Sequence, residues 1–132
     1  MDRSQARTQA MKLVYEWEMG GEGGEDTRLQ LLEVQPDEKE AGFMEAIFSG
    51  VLAHVEEIDE CITQYARGWS LDRITRVDLA ILRVAVYEML HEETPQNVVI
   101  SEAVRLAETF STEKASSFVN GVLGSFSRRP RA

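Results

Sequence analysis

Val77-Asp78-Leu79-Ala80-Ile81-Leu82-Arg83-Val84-Ala85-Val86-Tyr87-Glu88 is the stretch on which the fold turns. Val77, Ala80, Ile81, Val84 and Ala85, followed by Met89, recur at the three- and four-residue intervals of one helix face. The apolar stripe is wide, so this segment is expected to be the central and most buried helix. Thr75 and Asp78 stand at N-cap and N3 spacing and approximate a capping box at its start.

The same helical period continues on both sides. Downstream, Thr94-Pro95 opens another helix, with proline expected at the first helical position, where its missing amide does no harm. Val99, Ala103, Leu106, Ala107 and Phe110 form that helix's stripe. Ser111 or Thr112 caps a last helix carrying Phe118, Val119, Val122, Leu123 and Phe126. Asn120-Gly121 is a hairpin-turn dipeptide. Its flanks keep helical spacing, so it reads as helix interior, with Gly121 at a close crossing and Asn120 hydrogen-bonded.

Upstream, Ser70–Ile74 reads as a turn of helix, and Gly68 ends the run before it. In that run Phe43, Ile47, Val51, Val55, Ile58, Ile62 and Tyr65 share a face, as one long helix or two in tandem. A break is expected near His54–Glu57. Gly50 falls on the apolar side, where a missing side chain lets a neighbouring helix come close. At the start of the chain Ala6, Ala10, Leu13, Val14 and Trp17 form a further stripe, with Ser4 as its expected cap. Gly20, Gly21, Gly23 and Gly24 end that helix in a flexible loop. A short helix around Thr27–Glu33, closed by Pro36, is expected next. The fold class is therefore all-α, a single domain over residues 1–132.

Composition narrows the function. Of the 132 residues, 43% are hydrophobic and 28% charged, which argues against disorder. No apolar run approaches the roughly 18 residues of a membrane span. The start of the chain lacks the apolar region of a secretory signal, and the lone Cys61 cannot form an internal disulfide. A cytoplasmic protein is expected, with Cys61 packing as a small apolar residue. The net charge is −9, which alone speaks against a nucleic-acid partner. Yet the ends are basic: Arg3, Arg7 and Lys12 in the arm 1–12, and Arg128, Arg129 and Arg131 in the tail 128–132. Basic termini on an acidic body can hold a phosphate backbone locally.

Catalytic patterns are missing. His54 and His91 are far apart and lack metal-ligand spacing, so no metal site is expected. The glycine cluster lacks the Lys-Ser/Thr ending of a phosphate cradle, and no Gly-x-Ser-x-Gly elbow occurs. The acidic pairs Glu56-Glu57 and Glu92-Glu93 read as solvated helix surface. The expectation is a non-enzymatic protein without cofactors.

Five motifs, in order, resemble the NusB family of transcription antitermination factors. They are Ala6-Arg7…Ala10…Leu13-Val14-Tyr15…Trp17; Phe43…Ile47…Gly50-Val51…Ile58-Asp59…Ile62; Val77 to Glu88; Pro95…Val98 to Val104…Leu106-Ala107…Phe110; and Phe118-Val119-Asn120-Gly121-Val122-Leu123. The run from Val77 to Glu88, followed at the right interval by Phe118–Leu123, is the specific part. The resemblance implies a compact bundle of about seven helices in two sub-bundles. It implies binding of boxA RNA in ribosomal RNA transcripts together with NusE, a small-subunit ribosomal protein, within an RNA polymerase antitermination complex. Arg3, Arg7 and Lys12 of the basic arm, with Arg83 and Lys114, are the RNA contacts so implied. Tyr15 and Asp78 match positions facing NusE, and are expected to lie near each other on one exposed face.

Arg3 and Arg7, four apart, would project from one face of the first helix, both exposed. Several positions depart from the family pattern. Ser4 and Gln5 thin the arginine-rich arm, Ser101 replaces an asparagine, Lys114 an acidic residue, Ser117 a lysine, and Gly124 an aspartate. One rival reading is a helical interaction or homodimeric module with weak or no RNA binding. Another is a ribosomal RNA methyltransferase carrying a NusB-like N-terminal domain, against which the expectation counts the end of the chain at Ala132.

Overall fold

In the computed structural model, residues 2–20 and 38–130 are described. Six α-helices occur among them: α1 (Arg3–Glu18), α2 (Glu38–Ala53), α3 (Val55–Tyr65), α4 (Arg76–His91), α5 (Gln96–Phe110) and α6 (Glu113–Ser127). A 3₁₀ turn, Leu71–Arg73, joins α3 to α4. No strand occurs among the described residues, as the helical periodicity requires. The expected helix around Thr27–Glu33 lies outside the described residues.

Helix α4 is the axis of the fold. It packs against α1, α2, α3, α5 and α6, while α1 also packs on α2 and α5 on α6. Two helical groups thus share one central helix. Its buried positions, from Asp78 through Val86 and again at Glu88 and Met89, run around nearly the whole circumference. That is what the wide stripe demands, since a helix contacted on every side has no solvent face to leave polar. The core joins this helix to Leu13 and Val14 of α1, Ile47 and Val51 of α2, Ile58 and Ile62 of α3, Leu106 of α5, and Leu123 and Phe126 of α6.

Helix boundaries follow local chemistry, with some corrections. Asp2, not Ser4, caps α1: its carboxylate accepts from the Gln5 amide at 2.8 Å, and the Gln5 side chain accepts from the Asp2 amide at 2.8 Å. Asp2 and Gln5 have the capping-box spacing that Ser4 lacks, and Ser4 lies inside the first turn. Thr75 accepts from the Asp78 amide at 3.3 Å, and Thr112 rather than Ser111 caps α6 through the Ala115 amide at 3.0 Å. Pro95 occupies the N-cap of α5, one position before its expected place. The break in the long second pattern falls at His54, whose backbone (φ −119°, ψ 20°) leaves the helical region. Gly68, at φ +80°, turns the chain after α3.

Two glycines inside helices behave oppositely. A Cβ at Gly50 would lie 2.2 Å from the Tyr87 ring, so the bare position gives the Tyr87 ring of α4 its place against α2. A Cβ at Gly121 would meet nothing within 4 Å, and both Asn120 and Gly121 are exposed. The expected close crossing at Gly121 is therefore corrected: the dipeptide is helical but faces outward. No helix among the described residues is long and apolar enough to cross a membrane.

Candidate nucleic-acid interface

The arginines singled out from the sequence divide by burial. Arg3, at the start of α1, keeps 42% of its side chain exposed. Its Nε donates to Glu40 at 2.8 Å, and its guanidinium lies 3.8 Å from the centre of the Phe43 ring. Arg7, one turn on, is not exposed as expected. Its side chain is 7% accessible and that of its partner Glu88 is 1%. Nε and Nη2 donate to the two Glu88 oxygens at 2.8 and 2.6 Å, and Nη1 donates to Glu102 at 3.2 Å. Glu88 projects from the central helix, so the side of α1 that carries Arg7 faces the core.

Burial disfavours the charged form of Arg7, but Glu88 and then Glu102 more than offset it and hold its pKa above the ordinary arginine value. Glu102 is shifted the other way. Burial alone would raise its pKa, but hydrogen bonds from Ser4 and Arg105, with the charges of Arg105 and Arg7, hold it below the usual carboxylate range.

Arg83 is buried in the same manner. Nε and Nη2 fork onto the Asp59 carboxylate, both at 2.9 Å, and Nη1 reaches Glu18 at 3.1 Å. A surface arginine was expected; instead it ties α4 to α3 and α1. Lys12 and Lys114 are exposed. Lys12 Nζ lies 5.3 Å from the centre of the Phe110 ring.

Lys114 belongs to a groove that joins distant parts of the chain. Trp69, Arg73, Thr75, Asp78, Lys114 and Phe118 line it. Trp69 follows the left-handed Gly68, is 48% exposed, and meets the Phe118 ring with centroids 5.6 Å apart at 59°. Arg73 and Lys114 are exposed cations on its rim. Asp78 lines it too, yet is only 6% accessible, and its buried Oδ1 has no hydrogen-bond partner among the described residues. Tyr15 is half-buried, packed against the core. The expected exposed pair of Tyr15 and Asp78 is thus corrected in its exposure: Asp78, in the first turn of the fully surrounded α4, is covered by its neighbours.

A model of the NusB family matches residues 4–128. The chain belongs to the NusB family. The transcription antitermination protein NusB of Symbiobacterium thermophilum is 43% identical, over 97% of this chain and 90% of that protein. That of Acetivibrio thermocellus is 42% identical, over 94% and 87%. Among solved structures, NusB of T. maritima superposes with a TM-score of 0.84 at 31% identity, covering 98% of this chain and 92% of that one. The structure of antitermination factors NusB and NusE in complex with double-stranded RNA gives 0.81 at 29% identity, covering 94% of each chain.

Within this NusB-family chain the sequence reading passed over Trp69 and Arg73. The available signal was Gly68-Trp69-Ser70, a large aromatic in a polar turn where no helical stripe could bury it. An exposed tryptophan in such a place asks for a partner. Arg73 carried no pattern of its own; only folding brings it beside Lys114.

Proposed function

We propose that this chain is an RNA-binding transcription antitermination factor that acts with NusE on boxA-type RNA. The observation that carries the reading is the Trp69–Phe118 groove with Arg73 and Lys114 on its rim. Single-stranded RNA is held by aromatic faces on which bases stack and by cations that follow the backbone. The groove offers both in one place on an otherwise acidic protein. Membership of the NusB family, and the fold shared with NusB bound to NusE and RNA, support the same function.

On this reading Lys12, Arg73 and Lys114 are exposed basic residues, and Arg3 is partly exposed and paired with Glu40. Arg7 and Arg83 shape the surface from within, since the Arg7 guanidinium is engaged by the buried Glu88 and that of Arg83 by the partly buried Asp59 and Glu18. Tyr15 and Asp78 are the proposed NusE side. Asp78 lines the groove as well, which favours a second reading in which NusE enters the groove and uncovers the buried, unpartnered Oδ1.

RNA and NusE affinities of Trp69→Ala and Lys114→Ala separate the readings. Weakened binding of boxA RNA, with NusE affinity retained, supports the groove as the RNA site. Loss of NusE alone, with RNA binding unchanged, places the partner there and overturns it.

A further inference from the structure

Two histidines that the sequence separates are neighbours in the fold. His54, Glu57 and His91 offer ligand atoms that all lie within 4.8 Å of one another. The imidazoles of His54 and His91 are stacked, with centroids 4.3 Å apart and planes at 28°. His91 Nε2 lies 2.8 Å from Glu57 Oε1. The geometry points to a surface site for a divalent first-row transition cation, held by His54, Glu57 and His91.

Each ligand has a fixed origin. His54 stands in the break between α2 and α3, and its side chain makes no cap hydrogen bond to α3. Glu57 is in the first turn of α3, and His91 is the last residue of α4. The Tyr87 ring backs the cluster, 5.1 Å from His91 and 6.1 Å from His54.

Two imidazoles and a carboxylate match the preference of zinc and its neighbours, whereas magnesium and calcium demand oxygen ligands. Tetrahedral coordination with bonds of about 2.0–2.1 Å puts ligand atoms about 3.3 Å apart. The His91–Glu57 pair, now 2.8 Å apart, therefore has to open by about 0.5 Å and the wider pairs to close by about 1.5 Å at most, with the imidazoles turning out of their stack, all within reach of side-chain rotation at the surface. With three protein ligands, a fourth position remains for water. The net charge of −9 favours cation approach. Bound metal would pin the α2–α3 break to the end of the central helix.

The test is titration of the tag-free full chain with Zn²⁺ alone, at neutral pH, by calorimetry. The visible absorption of added Co²⁺ gives an independent readout. One equivalent is expected to bind, to raise the thermal midpoint by mass action, and to resist excess Mg²⁺. His54→Ala and His91→Gln should each weaken Zn²⁺ on the order of tenfold or more, as loss of a direct ligand costs at least what outer partners do. Glu57→Gln should weaken it too, and Cys61→Ser should leave it unchanged. Helical dichroism checks that each variant is folded. No saturable Zn²⁺ binding, binding unchanged in both His54→Ala and His91→Gln, displacement by Mg²⁺, or loss on Cys61→Ser would each overturn the assignment.

Discussion

Arg7 shows how one side chain can look functional in sequence and prove structural in space. A guanidinium presents parallel donors that fit a carboxylate edge-on, and Arg7 uses that fork on Glu88 of the central helix. Removing one partner of such a buried pair leaves the other charge uncompensated. Arg7→Ala is therefore expected to cost about 3–5 kcal/mol. The double change Arg7→Met with Glu88→Leu should cost clearly less, because no charge is stranded. Urea unfolding of the three proteins measures this; equal losses for single and double variants would show that the pair is not the source. Glu102, beside Arg7, makes a prediction in pH. Its folded pKa is depressed, so its contribution is fully present above the unfolded value of about 4.3 and is lost as pH falls through the folded value. The stability gap between the natural protein and Glu102→Gln should be widest near neutrality and shrink in acid. A gap that stays constant from neutral pH to about pH 3 would contradict the depressed carboxyl.

Helices were legible because each buries a stripe of regular period, and Ile47, Val51, Ile58 and Ile62 are as buried as that period implies. Ends were less legible, since one hydrogen bond decides a cap: Asp2 competes with Ser4, and Thr112 with Ser111, over a residue or two. The interior glycines were half legible. Periodicity puts Gly50 on a buried face, but only the partner helix shows that Tyr87 fills the space. Gly50→Ala should then cost about 1–3 kcal/mol as an overpacked contact. Adding Tyr87→Leu should recover part of that loss. Gly121→Ala, in an exposed helical position with open space, should instead stabilise by about 0.4–1 kcal/mol. Thermal denaturation orders these variants; equal effects of alanine at the two glycines would refute the packing distinction.

Charge is where the whole molecule departs most from its parts. Counting residues gives a basic arm on an acidic body, but folding neutralises Arg7 and Arg83 within carboxylate forks and gathers Arg73 and Lys114 beside an exposed tryptophan. The family was readable from ordered motifs, because those motifs are mostly core and the core fixes the fold. The groove was not, because its residues come from a turn, from the start of the central helix and from the last helix, and no local pattern links them. Two sets of cations are therefore candidates for the RNA backbone: Arg3 and Lys12, on opposite sides of α1 beside Phe43 and Phe110, and Arg73 and Lys114 together at the groove. Salt dependence tells them apart. Each phosphate contact on a single strand adds about 0.7 to the slope of log affinity against log salt. Arg73→Ala with Lys114→Ala should flatten the slope by about 1.4. Trp69→Ala removes a stacking surface rather than a charge. It should cost about 1–3 kcal/mol of binding and leave the slope where it was. Arg3→Ala with Lys12→Ala should then alter the slope less than the groove pair. If that α1 pair flattens the slope while the groove pair and Trp69→Ala leave binding unchanged, the strand lies along the first helix and the groove serves another partner.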